Sequence, residues 1–356
     1  VTQVRDRLLG CVFGGALGDA LGAHVEFMPW ETIKHRFGDA GITQLEPTNG
    51  TPGTVTDDTQ MTVFSIEAAI RWSVAERAGM PAPFIDASWQ AYLRWLVTQD
   101  SYVRPTAPLD GWVLSLPWLH HLRAPGNTNL SALRGGVMGR LDRPINGSRG
   151  CGAVMRSAPL GFFARDVTDA FDRGLHSGVV THSDAGGYLP SAILSAAIFL
   201  ISHDVPVADA LAAGAELAAP YDDSARTLDC LERGIALGQR GLPTPSDLHG
   251  IGGGWMGHEA LPIAVACALS GAPMVDVLCA AANHDGDSDS TASIAGQLVG
   301  ARDGTRDIPP SWLGVLEGRT DLEQLCDDFI AEFSVEPPEV MTGSPWWLRY
   351  PGVVAV

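Results

Sequence analysis

The stretch NHDGDSDSTASIAGQLVGA, residues 283–301, sets Asp285, Asp287 and Asp289 on alternate positions at the head of a run of small and apolar residues. Asp at the first, third and fifth positions is how a calcium loop of the EF-hand type begins. Counted from Asp285, however, the sixth position, which needs Gly for its turn, is Ser290, and the twelfth, which needs a bidentate Glu, is Gly296. The stretch cannot complete a calcium shell by itself. An isolated acidic run also suits a helix N-terminus, where Asp and Ser cap free N–H groups and their charge complements the dipole.

Two further clusters share that placement. In TVTDDTQM, Thr56, Asp57, Asp58 and Thr59 stand ahead of a strongly helical pattern expected to begin near Gln60. GGALGDALGAHVEF adds Asp19 and Glu26, with glycines at 14, 15, 18 and 22 that would keep this helix close to a neighbour. Each cluster could be a cap; together they suggest convergence. Two carboxylates ~4 Å apart repel by about 4 kcal/mol at an effective dielectric of ~20, so four or five in one pocket need counter-charge. Lys34 is the only lysine and lies outside all three clusters. Divalent cations would serve, and an all-oxygen set of Asp, Glu, Thr and Ser selects Mg²⁺, Mn²⁺ or Ca²⁺ over Zn²⁺. A pair of ions ~3.5–4 Å apart is the usual way to organise so many carboxylates.

The elements that must position these acids read as helices. Apolar residues recur at helical spacing in nearly every segment, from VRDRLLGCVFGGALGDALGA to STASIAGQLVGA, and alternating strand-like runs are scarce. With 46% hydrophobic residues the expectation is an all-α fold, a single large domain over 1–356. The Pro/Gly-rich passages YVRPTAPLDGW and GLPTPSDLHGIGGGWMG then read as long surface loops rather than linkers, because helical patterning resumes at once. Trp89, Tyr92 and Trp95 share one helix face and are expected in the core.

Composition also excludes partners. The formal charge of −18 opposes a nucleic acid backbone or an anionic membrane. Lys34 follows no Gly-rich loop, which removes a Walker-type NTPase. The six cysteines show neither CxxC spacing nor a dense framework, so reduced thiols are expected. No signal-type segment opens the chain, and the apolar run SAILSAAIFLI is shorter than the ~20 residues a bilayer needs. The expected setting is cytoplasmic.

GGALGDALGAHVEF, TVTDDTQM, RGCGAVMRSAPLG, THSDAGGYLPSAIL, GGGWMGHEALPIAV and NHDGDSDSTASIAGQLVGA occur in the order, and near the spacing, of the ADP-ribosylglycohydrolase family, which the chain resembles over about residues 5–302. The resemblance implies an orthogonal helical bundle with a binuclear metal cleft, two Mg²⁺ or Mn²⁺ ions, and hydrolysis of a glycosidic bond to ADP-ribose. By the same resemblance Thr56, Asp57 and Asp58 bind one ion, Asp287 and Ser290 the other, and Asp289 bridges, while Glu26 completes or gates the site. Glu26, Asp57 and Asp58 are the candidates for proton exchange. The common GGDTDT form is altered here: Asp285 replaces a Gly, and Ser288 and Ser290 replace threonines. Ser290 keeps a hydroxyl ligand; Asp285 is either an extra acid behind the site or a solvent-facing substituent.

The diphosphate of ADP-ribose needs local donors in so acidic a chain. Gly150 and Gly152 would let backbone N–H groups around Cys151 and Ala153 approach it, a plain turn being the alternative. Arg156 could bind phosphate or form a buried ion pair. His182 resembles a family position near ribose and phosphate, against a purely structural role, and Trp255 is an adenine-stacking candidate or a core seal. The expected partner is the ADP-ribose moiety of a modified protein, arginine by family analogy, or of a small molecule. Rival readings are a silent ADP-ribose-binding or structural protein of the same fold, and a metallohydrolase of another nucleotide or sugar conjugate.

Overall fold

A computed structural model describes residues 2–48 and 51–356. The regular structure among these residues is almost all helix. In chain order the α-helices are α1 (Thr2–Gly22), α2 (Trp30–Phe37), α3 (Asp57–Arg77), α4 (Phe84–Gln99), α5 (Asn127–Arg134), α6 (Val167–Val179), α7 (Ala185–Ser202) and α8 (Val207–Ala218). They continue with α9 (Ala225–Gly238), α10 (Pro245–His249), α11 (Gly257–Ala268), α12 (Met274–Ala282), α13 (Ser288–Asp303), α14 (Pro310–Leu313), α15 (Arg319–Glu332) and α16 (Pro345–Arg349). Two 3₁₀ helices, Cys151–Arg156 and Ala158–Phe163, link α5 to α6, and one two-residue hairpin pairs Pro47–Thr48 with Thr51–Pro52. The all-α expectation holds.

The closest packing is between α1 and α13, which run antiparallel. A Cβ added to Gly10 would lie 2.5 Å from the Gly300 carbonyl oxygen, and one on Gly18 would overlap the carbonyl of Ala292. Glycines spaced by four on α1 thus make a groove into which the backbone of α13 settles. The consequence is positional: the C-terminal end of α1, with Asp19 on it and Glu26 in the turn that follows, is brought beside Ser288 and Asp289 at the N-terminal end of α13, where a Cβ on Gly22 would strike the Ser288 carbonyl.

α3 packs on α4 across a buried charge cluster in which Glu67 accepts from Arg94 at 2.8 Å and from Arg71 at 3.3 Å, and Arg71 also reaches Asp110 at 2.7 Å. Trp89, Tyr92 and Trp95 of α4 are buried as expected. α7 is the one helix among the described residues long and apolar enough to cross a membrane, and 89% of that window is buried inside the protein. It is a core helix packed on α6 and α8.

Candidate functional site

The Asp19 carboxylate, fully buried on α1, accepts from the backbone N–H groups of Thr56 and Thr59 and from the Thr59 hydroxyl. It therefore does for α3 much of what a cap does, from a helix 37 positions away. α3 begins at Asp57, three residues before the expected Gln60, so Asp57 and Asp58 stand in its first turn rather than ahead of it. Thr56 is the N-cap, its hydroxyl receiving the Asp58 N–H at 3.4 Å and donating to Asp289 Oδ2 at 3.4 Å.

That Thr56–Asp289 contact joins positions 233 apart in sequence. Glu26, Asp287 and Asp289 each offer an oxygen to a group whose atoms all lie within 4.8 Å of one another. Asp287 occupies the N-cap of α13 but makes no capping bond; its carboxylate turns instead to the Cys151 thiol, which donates to Oδ2 at 2.8 Å. Asp57 Oδ2 accepts from Gly126 N–H at 3.1 Å, and Asp58 Oδ1 is buried with no hydrogen-bond partner. Helix capping thus fails to account for Asp57, Asp58 or Asp287.

Burial and mutual repulsion dominate the electrostatics. Asp57 and Asp58 are held well above the usual carboxylate range by burial, with Asp289 adding repulsion to each. Asp287 is raised likewise by burial and by Asp289. Asp289 is raised by burial, against hydrogen bonds that lower it. Half-buried Glu26 is pushed up to about 10 by burial, then by Asp289 and Asp287, and Asp19 to about 7 by burial and Asp289.

Glu26, Asp57, Asp58, Asp287 and Asp289 line a cleft of about 320 Å³ that also receives Gly150, Cys151, Gly152, His182, Ser290 and Trp255, with Asp19 behind it. Every expected site residue except Thr56 lines it, and Thr56 is buried against Asp289. The Gly150–Gly152 segment opens the first 3₁₀ helix, but Gly150 N–H donates to Ser148 Oγ at 3.2 Å and Cys151 N–H to the Trp255 carbonyl at 3.1 Å. The N–H groups at Gly150 and Cys151, where a diphosphate cradle was expected, are therefore already committed. His182 is fully buried, with Nε2 lacking a partner, and burial followed by the nearby Arg156 charge pushes its pKa down to about 3.

Trp255 stands at the mouth, partly exposed, its ring stacked on Phe27 at 5.1 Å and 23°. It does not seal the core. Phe27 holds the left-handed backbone conformation, φ +64°, uncommon for a bulky side chain. Asp285 faces away from the acids: it accepts the Trp30 N–H at the start of α2 and lies 3.3 Å from His249 Nδ1. Arg156 neither reaches a carboxylate nor opens to solvent.

Sequence reading left out several lining residues. Ala124, Pro125, Gly126, Asn127, Thr128 and Asn129 form one wall of the cleft. Thr128 Oγ1 meets Ser148 Oγ at 2.7 Å, tying that wall to the glycine loop.

A family model described as ADP-ribosylglycohydrolase matches residues 1–339. The chain belongs to the ADP-ribosylglycohydrolase family. It is 25% identical to the ADP-ribosyl-dinitrogen reductase glycohydrolase of Rhodospirillum rubrum, over 90% of this chain and 94% of that one. It is 24% identical to an ADP-ribosylarginine hydrolase of Pseudomonas putida, over 92% of this chain and 78% of that one. A solved ADP-ribosylglycohydrolase-related protein complex superposes with a TM-score of 0.65 at 22% identity, covering 94% of this chain and all of that one, and shares the fold. Family and relatives indicate an ADP-ribosyl glycohydrolase activity for this member of the ADP-ribosylglycohydrolase family.

Proposed function

We propose that the protein removes mono-ADP-ribose from a modified protein side chain, arginine foremost, using two Mg²⁺ or Mn²⁺ ions. The observation that carries this is the meeting of Glu26, Asp287 and Asp289 within 4.8 Å, beside a buried Asp58 oxygen without a partner. Acids held that close, with pKa values raised by burial and by one another, form a set that divalent cations relieve. The donors fit the group: Thr56, Asp57 and Asp58 would hold one ion, Asp287 and Ser290 the other, and Asp289 both. When bound, the ions supply positive charge that orients the vicinal hydroxyls of the ribose and acidifies water.

The remaining chemistry belongs to side chains. Glu26, half-buried at the rim, is the acid best placed to pass a proton between the cleft and its mouth, with Asp57 and Asp58 as alternatives. Positive charge that grows on the sugar as the bond to the leaving group lengthens is stabilised by the carboxylate wall. His182 takes the diphosphate, beside a Gly150–Gly152 segment whose Gly150 and Cys151 N–H groups are held by Ser148 and Trp255 and would have to be released to join it, and the open face of Trp255 remains for the adenine. The relative from Pseudomonas putida, named for ADP-ribosylarginine, supports arginine as the leaving group. The six free cysteines support a reducing, cytoplasmic setting.

A panel of defined ADP-ribose conjugates, assayed with Mg²⁺, Mn²⁺ and chelator, tests the reading. ADP-ribose release from the arginine conjugate, lost with chelator and in Asp57→Ala and Asp289→Ala, is expected. Tight ADP-ribose binding with no product from any linkage would instead mark a silent binding protein.

A further inference from the structure

Arg156 is a fully buried guanidinium that forms no ion pair among the described residues, a costly placement that its hydrogen bonds must explain. Its Cζ lies over the Tyr92 ring, 3.8 Å from the centroid. Nη1 donates to Asn129 Oδ1 at 2.9 Å, while Asn129 Nδ2 donates to the Gly152 carbonyl at 3.2 Å. Nη2 donates to the Ser177 carbonyl and to Thr181 Oγ1, both at 2.8 Å, and Thr181 Oγ1 lies 2.9 Å from His182 Nδ1. One fork thus reaches both parts of the anion-binding wall, the glycine segment through Asn129 and the histidine through Thr181.

The second arm fixes where the imidazole proton sits. Thr181 Oγ1 accepts from Arg156, so its single hydrogen is free to donate. The two acceptors in reach are His182 Nδ1 at 2.9 Å and the Gly178 carbonyl at 3.5 Å, and that carbonyl already receives the N–H groups of Thr181 and His182. Donation to Nδ1 leaves the ring proton on Nε2. Nε2 is the atom without a partner, and a Cβ on Gly150 would lie 3.3 Å from it, which places it under the glycine segment on the cleft wall.

We propose that Arg156 is a positioning residue that acts through Thr181 to set the His182 tautomer, and through Asn129 to hold Gly152, so that a neutral Nε2–H is presented to the anionic oxygens of the ligand. The ligand class, a diphosphate, rests on the function proposed above. A planar fork is required, because a lysine in its place offers one point of donation and cannot hold both arms.

Long-range ¹H–¹⁵N spectra of the full chain, labelled at histidine, read the tautomer without any ligand. Wild-type His182 is expected as the Nε2–H form with Nδ1 accepting. Thr181→Val removes the Nδ1 hydrogen-bond signature and admits the other tautomer, and Thr181→Ser restores the wild-type spectrum. By calorimetry with ADP-ribose, Arg156→Lys weakens binding about tenfold and Thr181→Val about threefold, the scale of a charge-assisted hydrogen bond lost or misaligned. A merely structural arginine would lower the melting temperature of Arg156→Lys and leave the His182 spectrum unmoved, and that result overturns the proposal. So does an Nδ1–H ring in the wild type. Absence of ADP-ribose binding in the wild type would count against the proposed function instead, with the spectrum still deciding the tautomer.

Discussion

Both carboxylate oxygens of Asp19 lie 3.0 Å from the backbone nitrogen of Thr56. This contact places the first turn of α3, and with it Asp57 and Asp58, against α1. Asp19→Ala leaves the Thr56 and Thr59 N–H groups without an acceptor in a buried place and should cost about 1–3 kcal/mol. Asp19→Asn keeps one carbonyl oxygen and should cost less. Urea denaturation of the two variants checks the order; equal stabilities would show that the contact does not anchor the helix.

Asp289 gives a prediction that reverses sign with the ions present. Its charge raises the pKa of Glu26, Asp57, Asp58 and Asp287. In chelator, Asp289→Asn removes that repulsion and should melt above the wild type. With Mg²⁺ or Mn²⁺ at about a hundred times the dissociation constant, the wild type gains about 2.7 kcal/mol and the variant much less. Melting curves that fail to cross would deny Asp289 a place among the ligands.

Gly18→Ala sets two known effects against each other. Alanine is favoured over glycine in a helix by about 1 kcal/mol. Here the added methyl meets backbone rather than a movable side chain, at the Ala292 carbonyl, so overpacking of about 1–3 kcal/mol or more opposes it. Net destabilisation and weaker Mn²⁺ binding are expected from thermal melts and titration, because a shift of α13 that relieves the clash carries Asp289 with it. A more stable variant with unaltered affinity would contradict this packing.

His182 makes part of the acid sensitivity. Its pKa in the fold, about 3, lies below the ordinary histidine value of ~6.5, so the unfolded chain binds the proton first. The stability that depends on a neutral ring is complete above pH ~6.5 and is lost as pH falls toward 3. Between pH 7 and pH 5 this amounts to about 2 kcal/mol. His182→Gln should lose correspondingly less stability over that interval, measured by urea melts at the two pH values. Parallel losses would mean that the ring takes up its proton in the fold as readily as in the unfolded chain.

Asp285→Ala removes the acceptor of the Trp30 N–H, at a helix start whose N-cap, Pro29, makes no side-chain bond. A cost of about 1 kcal/mol is expected, with faster hydrogen exchange at Trp30 and unchanged affinity for Mg²⁺. Altered metal affinity would return Asp285 to the acidic site.

The helices and the acidic clusters were legible because each is a local pattern: apolar spacing on α4, glycines every fourth residue on α1, paired carboxylates at the heads of α3 and α13. Contacts between distant segments were not. Nothing near Asp19 announces that it serves the N-terminus of α3, and Asp285 sits in the same motif as Asp287 yet faces α2, since Gly286, at φ +138°, turns the backbone between them. Asn129 goes unnamed, and Arg156 reads as a phosphate ligand or an ion-pair partner, because their hydrogen bonds run to residues that no local pattern connects to them. The commitment of the Cys151 N–H to Trp255 depends on a bridge between Gly150 and Met256 that no periodicity encodes.

The gathering of Glu26, Asp57, Asp58, Asp287, Asp289 and Ser290 into one cleft bears on how the protein comes into being. During synthesis α13 can settle into the groove of α1 only after the residues through Asp303 have left the ribosome, so a shorter nascent chain exposes scattered acids and no closed cleft. A product terminated ahead of Asp287 lacks Asp287, Asp289 and Ser290 and cannot complete the acidic cleft.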